Sequence, residues 1–170
     1  MDEYQKSEKE KILLAISGLN PISLRKRFIH ELTNVLTNYT SSQITVTITS
    51  DSSVIVELAI DSTRYIFDIG EHYPFQPPRK INVNFIEYSS LLRLPVRFRI
   101  LYEKLTREKC MCCSSVICNA NWSPAITMNK LIVEINRSRK LIRQIVLILL
   151  IEQIKVKHLL ADLEISSFLF

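Results

Sequence analysis

The chain has 170 residues, of which 47% are hydrophobic and 23% are charged, with a formal net charge of +5. These values predict one globular domain with a sizeable core and leave no room for a second full domain. No stretch reaches the roughly eighteen apolar residues that a membrane span needs, so we expect no membrane insertion. The amino terminus lacks the layout of a secretory signal, which predicts a cytoplasmic or nuclear protein.

The basic residues are scattered along the chain, and 13 of the 22 lysines and arginines lie in three segments, 25–27, 93–109 and 137–143. Nucleic-acid binding usually adds a dense basic stripe interleaved with stacking aromatic residues, and this sequence has no such interleaving. The charge therefore predicts a solvated surface and no nucleic-acid partner.

The first predicted elements are two helices. Residues 8–16 combine mixed charges with Ile12, Leu13 and Ile16, and Gly18 and Pro21 follow as breakers. Ser23 is the predicted amino-terminal cap of a second helix, whose apolar residues recur at spacings of three and four. These apolar residues are Leu24, Phe28, Leu32, Val35 and Leu36.

Four strands are predicted next, because the apolar period changes to two from Ile44 onwards. The alternating runs are residues 44–48, 55–60, 65–69 and 81–85, and a turn is predicted at 51–53. Their short connections favour an antiparallel meander.

The rest of the chain is predicted to be mostly helical after an irregular crossing. Residues 88–109 have no clean period, although 96–101 suit a further short strand. Residues 127–135 are predicted to be helical, and 141–157 to form one or two very apolar helices. The order of elements predicts an α+β arrangement in which the helices cover one face of the sheet.

Two segments carry the most specific pattern. Residues 73–78, Tyr-Pro-Phe-Gln-Pro-Pro, form a rigid extended excursion, because their three prolines suit neither a helix nor an interior strand. Residues 122–125, Trp-Ser-Pro-Ala, place a large aromatic ring directly before a helix. In this order the two segments resemble those of the ubiquitin-conjugating enzyme family, and the resemblance covers residues 23–138.

The resemblance implies an α+β, ubiquitin-conjugating-enzyme-like fold, with a four-stranded antiparallel meander between an N-terminal helix and C-terminal helices. It also implies a cysteine that accepts ubiquitin or a ubiquitin-like modifier from an activating enzyme as a thioester and passes it to lysine, without a cofactor. Cys113, followed by two variable and two aliphatic residues, matches the family's cysteine segment, and Cys112 is the alternate. Thiolates suit this transfer because they are strong nucleophiles and good leaving groups.

The family's His-Pro-Asn is absent from this chain, and Ser114 stands at the family's usual cysteine distance from Trp122. An inactive binding or structural scaffold of the same fold is therefore the alternative, while Asn119 or Asn121 offers a substitute amide. The chain's four cysteines offer a second alternative, a zinc site. No metal is favoured, because structural zinc sites usually present two separated pairs of ligands. The four are Cys110, Cys112, Cys113 and Cys118.

The resemblance assigns Phe75, Pro124 and Ala125 to ligase binding, and Arg25 and Lys26 to the helix face used towards activating enzymes and ligases. Loop packing and a solvated helix face are the alternatives.

The domain prediction is a helical extension at 1–22 and a single domain at 23–170. Within that domain we expect an insertion at 88–109 and a divergent apolar helical segment from 139. The very apolar residues 141–156 are predicted to fill the core or to contact an oligomer or protein partner.

Overall fold

A computed structural model describes residues 3–19, 22–39, 42–49 and 53–168, with side chains described for 6–19, 24–39, 42–49 and 53–153. The predicted turn at 51–53 therefore lies largely outside the described residues, as does the side chain of Ser23. The helices are α1 (Glu3–Ala15), α2 (Ile22–Asn38), α3 (Tyr88–Leu91), α4 (Val96–Thr106), α5 (Met111–Ser114) and α6 (Met128–Phe168). The strands are β1 (Gln43–Ile48), β2 (Val54–Ile60), β3 (Thr63–Ile69), β4 (Lys80–Val83) and β5 (Ile86–Glu87).

The five strands form one antiparallel sheet in chain order. The register pairs Val56 with Phe67 and Phe67 with Ile81, so the apolar positions of three strands line up on one face. Alternate residues of β2 are buried, as the period of two requires. The predicted α+β class and the four predicted strands are confirmed, and β5 is an addition to them.

The predicted fourth strand is too long at its end, because Asn84 and Phe85 form the turn of a hairpin. Both residues have positive φ, 49° and 69°, and two such residues are what a tight hairpin between β4 and β5 requires. Phe85 is 74% exposed, and the Arg64 guanidinium lies 5.0 Å from the centre of its ring. The alternating pattern therefore wrongly predicted that Phe85 belongs to a strand.

The segment 96–101, predicted as a further strand, is wrong: it is the first half of helix α4. Pro95 precedes the helix, and Arg107 ends it in the left-handed conformation, with φ of 63°. Residues 127–157, predicted as two or three helices, belong to the single helix α6 from Met128 onwards. No helix among the described residues is both long enough and apolar enough to cross a membrane.

One hydrophobic core joins the sheet to α1, α2 and α6. Each fully buried aliphatic or aromatic side chain stabilises such a core by roughly 1.5–3 kcal/mol. The helical residues in it include Ile12 and Ile16 of α1, Phe28 and Leu32 of α2, and Leu131, Ile132 and Ile135 of α6. The core therefore fixes the start of α6, and with it the segment 107–127 that contains all four cysteines.

Candidate functional site

The two proline-containing segments, far apart in sequence, pack against each other. The indole Nε1 of Trp122 donates a 2.8 Å hydrogen bond to the carbonyl oxygen of Pro74. The ring of Tyr73 lies 6.2 Å from the ring of Trp122 and 5.8 Å from that of Phe28, and the Tyr73–Pro74 peptide is cis. The excursion at 73–78 is thus anchored beside the loop that leads into α6.

A buried carboxylate ties these segments to α2. Glu31 is completely buried and accepts hydrogen bonds from the Tyr73 hydroxyl at 2.7 and 2.8 Å and from the Met128 amide at 2.8 Å. It also pairs with Arg27, one helical turn earlier. Arg27 in turn donates to the carbonyl oxygen of Pro124 at 2.8 Å. Burial raises the pKa of Tyr73, and the Glu31 carboxylate raises it further.

The cysteine segment is held by side chains from both of its sides. The Asn121 amide donates to the carbonyl oxygens of Cys113 at 2.6 Å and Ser115 at 3.0 Å. The Glu134 carboxylate of α6 accepts from the Val116 amide at 3.0 Å and from the Ser115 hydroxyl. Glu134 therefore ties the segment to α6, whereas Asn121 holds two parts of the segment together.

The predicted insertion at 88–109 supports this segment. The Tyr102 hydroxyl of α4 lies 2.9 Å from the Ser114 hydroxyl and donates to Glu108, and this hydrogen bond lowers the pKa of Glu108. The Tyr88 hydroxyl donates to Ser138 of α6 at 2.9 Å. A half-enclosed cavity of about 160 Å³ lies between α4, the cysteine segment and α6.

Three thiols converge at α5. The Sγ atoms of Cys110 and Cys112 are 2.6 Å apart, and those of Cys112 and Cys113 are 3.8 Å apart. All three sulfurs lie within 4.8 Å of one another, and Cys118 is not a member of this group. Cys113 is exposed, whereas the other three cysteines are half-buried. Cys118 instead accepts hydrogen bonds at its carbonyl oxygen from the amides of Asn121 and Trp122.

The three thiols have different acidities because they hydrogen-bond to one another. Hydrogen bonds from the Cys112 thiol and from the Cys113 backbone lower the pKa of Cys110 to about 7. Hydrogen bonding with Cys110 raises the pKa of Cys112, and interactions with Cys110 and Cys112 raise that of Cys113 to about 11. Cys110 therefore loses its proton first, and the negative charge of the group lies beside the exposed Cys113.

The predicted partner-binding residues are mostly exposed. Phe75 is 77% exposed, and Pro124, Ala125 and Lys26 are exposed as well. Arg25 is half-buried, and its buried Nε has no hydrogen-bond partner among the residues that the structure describes.

Sequence reasoning missed the site roles of Arg27, Glu31 and Glu134. It named Cys110 as a candidate zinc ligand but did not predict the low pKa of its thiol. The spacing of Arg27 and Glu31, four residues apart on a predicted helix, is a recognisable signal for an ion pair. Glu134 gave no local signal, because its partners lie 18 and 19 residues away in the chain.

The arrangement offers an exposed thiol and a three-sulfur group on a braced segment beside two packed loops, which suits nucleophilic acyl transfer or metal binding. Comparison with known proteins gives no match: no protein-family profile fits the chain, and no curated protein or solved structure is significantly similar to it.

Proposed function

We propose that this chain is a divergent protein of the ubiquitin-conjugating type, with the corresponding fold, that carries ubiquitin or a ubiquitin-like modifier as a thioester on Cys113. The observation that carries the proposal is the hydrogen bond from Trp122 to the Pro74 carbonyl oxygen, at 2.8 Å, which joins the two characteristic segments. Asn121, directly before Trp122, reaches the Cys113 carbonyl oxygen at 2.6 Å. The exposed thiol and the joined loops therefore belong to one connected surface.

The chemistry is two successive acyl transfers. The Cys113 thiol, whose pKa is raised to about 11, loses its proton to solvent as its sulfur attacks the thioester carbonyl carbon of the modifier on its activating enzyme. The activating enzyme's thiolate leaves as the new thioester forms. A lysine amine then attacks the carbonyl carbon on Cys113, the amide bond forms, the amine loses a proton to solvent, and the Cys113 thiolate leaves. A thiol suits both steps because it is nucleophile in one and leaving group in the other.

The proposed partners follow from exposure and packing. Phe75, Pro124 and Ala125 are exposed on the two joined loops and receive a ligase, because exposed apolar anchors commonly carry such interfaces. Arg25 and Lys26 on α2 face the activating enzyme or the ligase. Arg27 links the two surfaces through its hydrogen bond to the Pro124 carbonyl oxygen.

A second candidate is an inactive scaffold of the same fold, and the three-thiol group favours it. Cys113 lies within 4.8 Å of two other sulfurs, an arrangement that suits metal binding, and a metal-bound thiolate cannot form a thioester. The side-chain amide of Asn121 also donates to two backbone carbonyl oxygens, so in this conformation it is engaged with the loop and not available as the substitute amide.

A charging assay distinguishes the two candidates. The reduced, chelator-treated chain is incubated with an activating enzyme, ATP and its modifier, and non-reducing gels are inspected for an adduct that a thiol reductant removes. We expect an adduct with the wild type and with Cys118→Ala, and none with Cys113→Ala. An adduct lost only in Cys112→Ala would reassign the nucleophile, and no adduct with ubiquitin or its common relatives would favour the scaffold.

A further inference from the structure

We propose that Cys110, Cys112 and Cys113 together bind one thiophilic d10 metal ion, Zn²⁺ or Cu⁺. This inference goes beyond the proposed acyl transfer, because it assigns a ligand to the thiols that the transfer reaction does not require. It also differs from a four-cysteine zinc site, since Cys118 is not a member of the group.

The spacing of the sulfurs fits such an ion. Sulfurs about 2.3 Å from a tetrahedral Zn²⁺ lie about 3.8 Å from one another. The Cys112 and Cys113 sulfurs are already 3.8 Å apart, and all three lie within 4.8 Å. The Cys110 and Cys112 sulfurs are 2.6 Å apart, so we expect one of these half-buried side chains to rotate and separate them by about 1 Å when the ion binds.

The backbone around the thiols is already organised. The Ser114 hydroxyl donates to the Cys110 carbonyl oxygen at 2.9 Å, and the Asn121 amide donates to the Cys113 carbonyl oxygen at 2.6 Å. These bonds fix both ends of the three-cysteine turn, so binding orders little additional backbone. Cys113 is exposed, which gives an ion from solvent a route to the sulfurs.

Three sulfur ligands leave two coordination states. Cu⁺ is a soft ion, and three thiolates satisfy it. Zn²⁺ prefers four ligands, so a water molecule would occupy its fourth position. Each bound thiol releases its proton as the metal–sulfur bond forms. Either ion occupies Cys113 and therefore competes with a thioester at that sulfur.

The test titrates the full-length reduced chain with Zn²⁺, and in a separate anaerobic arm with Cu⁺ against a Cu⁺ chelator, and reads the stoichiometry by native mass spectrometry. We expect one ion per chain, a tenfold or greater loss of affinity in Cys110→Ser, Cys112→Ser and Cys113→Ser, and no change in Cys118→Ser. Binding in one arm alone supports the proposal and identifies the ion. Binding in neither arm, or an equal loss in Cys118→Ser, overturns it.

A competition experiment separates this inference from the proposed function. One equivalent of the bound ion is added before the charging assay, and we expect the adduct to disappear and then to return when a chelator is added. A chain that binds metal but never forms the adduct retains the metal site and loses the proposed transfer activity. A chain that charges equally well with and without the ion contradicts occupation of Cys113.

Discussion

At the scale of single residues, Glu31 connects more of the site than any residue predicted from the sequence. Its carboxylate accepts hydrogen bonds from the Tyr73 hydroxyl and the Met128 amide and forms an ion pair with Arg27. The residue is not exposed to solvent. A buried charge is tolerated only with such partners, because desolvation of a lone carboxylate costs several kcal/mol. The geometry of both loops therefore depends on the contacts of the Glu31 side chain.

Replacing Glu31 tests this dependence. Glu31→Gln keeps the shape of the side chain but removes its charge. It also places an NH₂ group against partners that are themselves hydrogen-bond donors, so we expect the free energy of unfolding to fall by about 3 kcal/mol. Tyr73→Phe removes one hydroxyl and is expected to cost about 1–2 kcal/mol. Urea unfolding measures both, and Glu10→Gln on the exposed part of α1 is the matched control. A Glu31→Gln variant as stable as its control would contradict the role of the buried carboxylate.

The acidity of the thiols gives a second prediction at this scale. Hydrogen bonding with Cys110 is the largest of the effects that raise the pKa of Cys113 to about 11, and Cys112 adds to it, so removing the Cys110 thiol should lower the pKa of Cys113. In metal-free protein we expect Cys110→Ser to shift the pH midpoint of Cys113 alkylation to lower pH, and Cys118→Ser to leave it in place. Iodoacetamide labelling with peptide mass spectrometry reads each cysteine separately. An unshifted midpoint in Cys110→Ser would mean that the two thiols do not interact.

At the scale of elements, the cysteine segment depends on α6. Glu134 lies on this helix and accepts a hydrogen bond from the Val116 amide. The helix therefore holds the cysteine segment, which has little regular structure of its own. We expect Glu134→Ala to raise the hydrogen-exchange rate of the Val116 amide at least tenfold, because the half-buried carboxylate that accepts its hydrogen bond is lost, and to destabilise the chain by about 2 kcal/mol.

Val133→Ala, one residue earlier on α6 and 57% exposed in the wild type, provides the control for Glu134→Ala. Unchanged Val116 exchange in Glu134→Ala would show that the segment keeps its conformation without the carboxylate. Exchange at Val116 that increased equally in both variants would instead indicate general loosening of α6.

The sequence predicted the regular elements well where the local pattern and the tertiary environment agree. The strands β2 and β3 have clear periods, and their buried residues are the periodic ones. The periodic apolar residues of α2 are buried as well, but Glu31 is an addition to them that the period did not predict. The pattern failed at Phe85, which extends an alternating run into a hairpin turn, and at 96–101, where apolar and basic residues suit either a strand or a helix.

Prediction of the site was limited for a different physical reason. Cysteine identity and the adjacency of Trp122 to Pro124 are visible in the sequence, but the convergence of three thiols without Cys118 depends on the turn at α5. The contacts of Glu31 with Tyr73 and Met128 span 42 and 97 residues. Such pairings arise only when α2, the loop at 73–78 and α6 share one core.

At the scale of the whole molecule, two buried tyrosines make stability depend on alkaline pH. Burial raises the pKa of Tyr73 and Tyr88 in the folded chain above their unfolded value of about 10. Their contribution is therefore fully present below about pH 10 and is lost as pH rises above it, by up to about 1.4 kcal/mol per pH unit for each tyrosine.

Urea unfolding at about pH 8 and about pH 11 measures this loss. We expect Tyr88→Phe, which has no ionisable hydroxyl, to lose less stability between the two values than the wild type. The difference between the two chains isolates Tyr88 from other groups that titrate there. Equal losses would mean that Tyr88 ionises as readily in the folded chain as in the unfolded one.

Residues 147–151, in the middle of α6, form an exposed apolar surface. Ile145 is fully buried, but Leu147, Leu150 and Ile151 are 43–58% exposed. The prediction that residues 141–156 fill the core is thus met by part of the helix, and the partner-facing role of the remainder stays a prediction. Contiguous apolar surface of this kind is typical of an interaction site.

Intact mass spectrometry of Cys113→Ser after charging, with the wild type beside it, tests whether Cys113 forms a thioester. A serine at that position forms an oxyester, which a thiol reductant does not cleave, in place of the thioester, which it does. We expect both chains to gain the mass of the modifier minus one water, and we expect the reductant to remove this adduct from the wild type but not from Cys113→Ser. A Cys113→Ser adduct that the reductant still removes would place the thioester on another cysteine and would show that Cys113 is not the nucleophile.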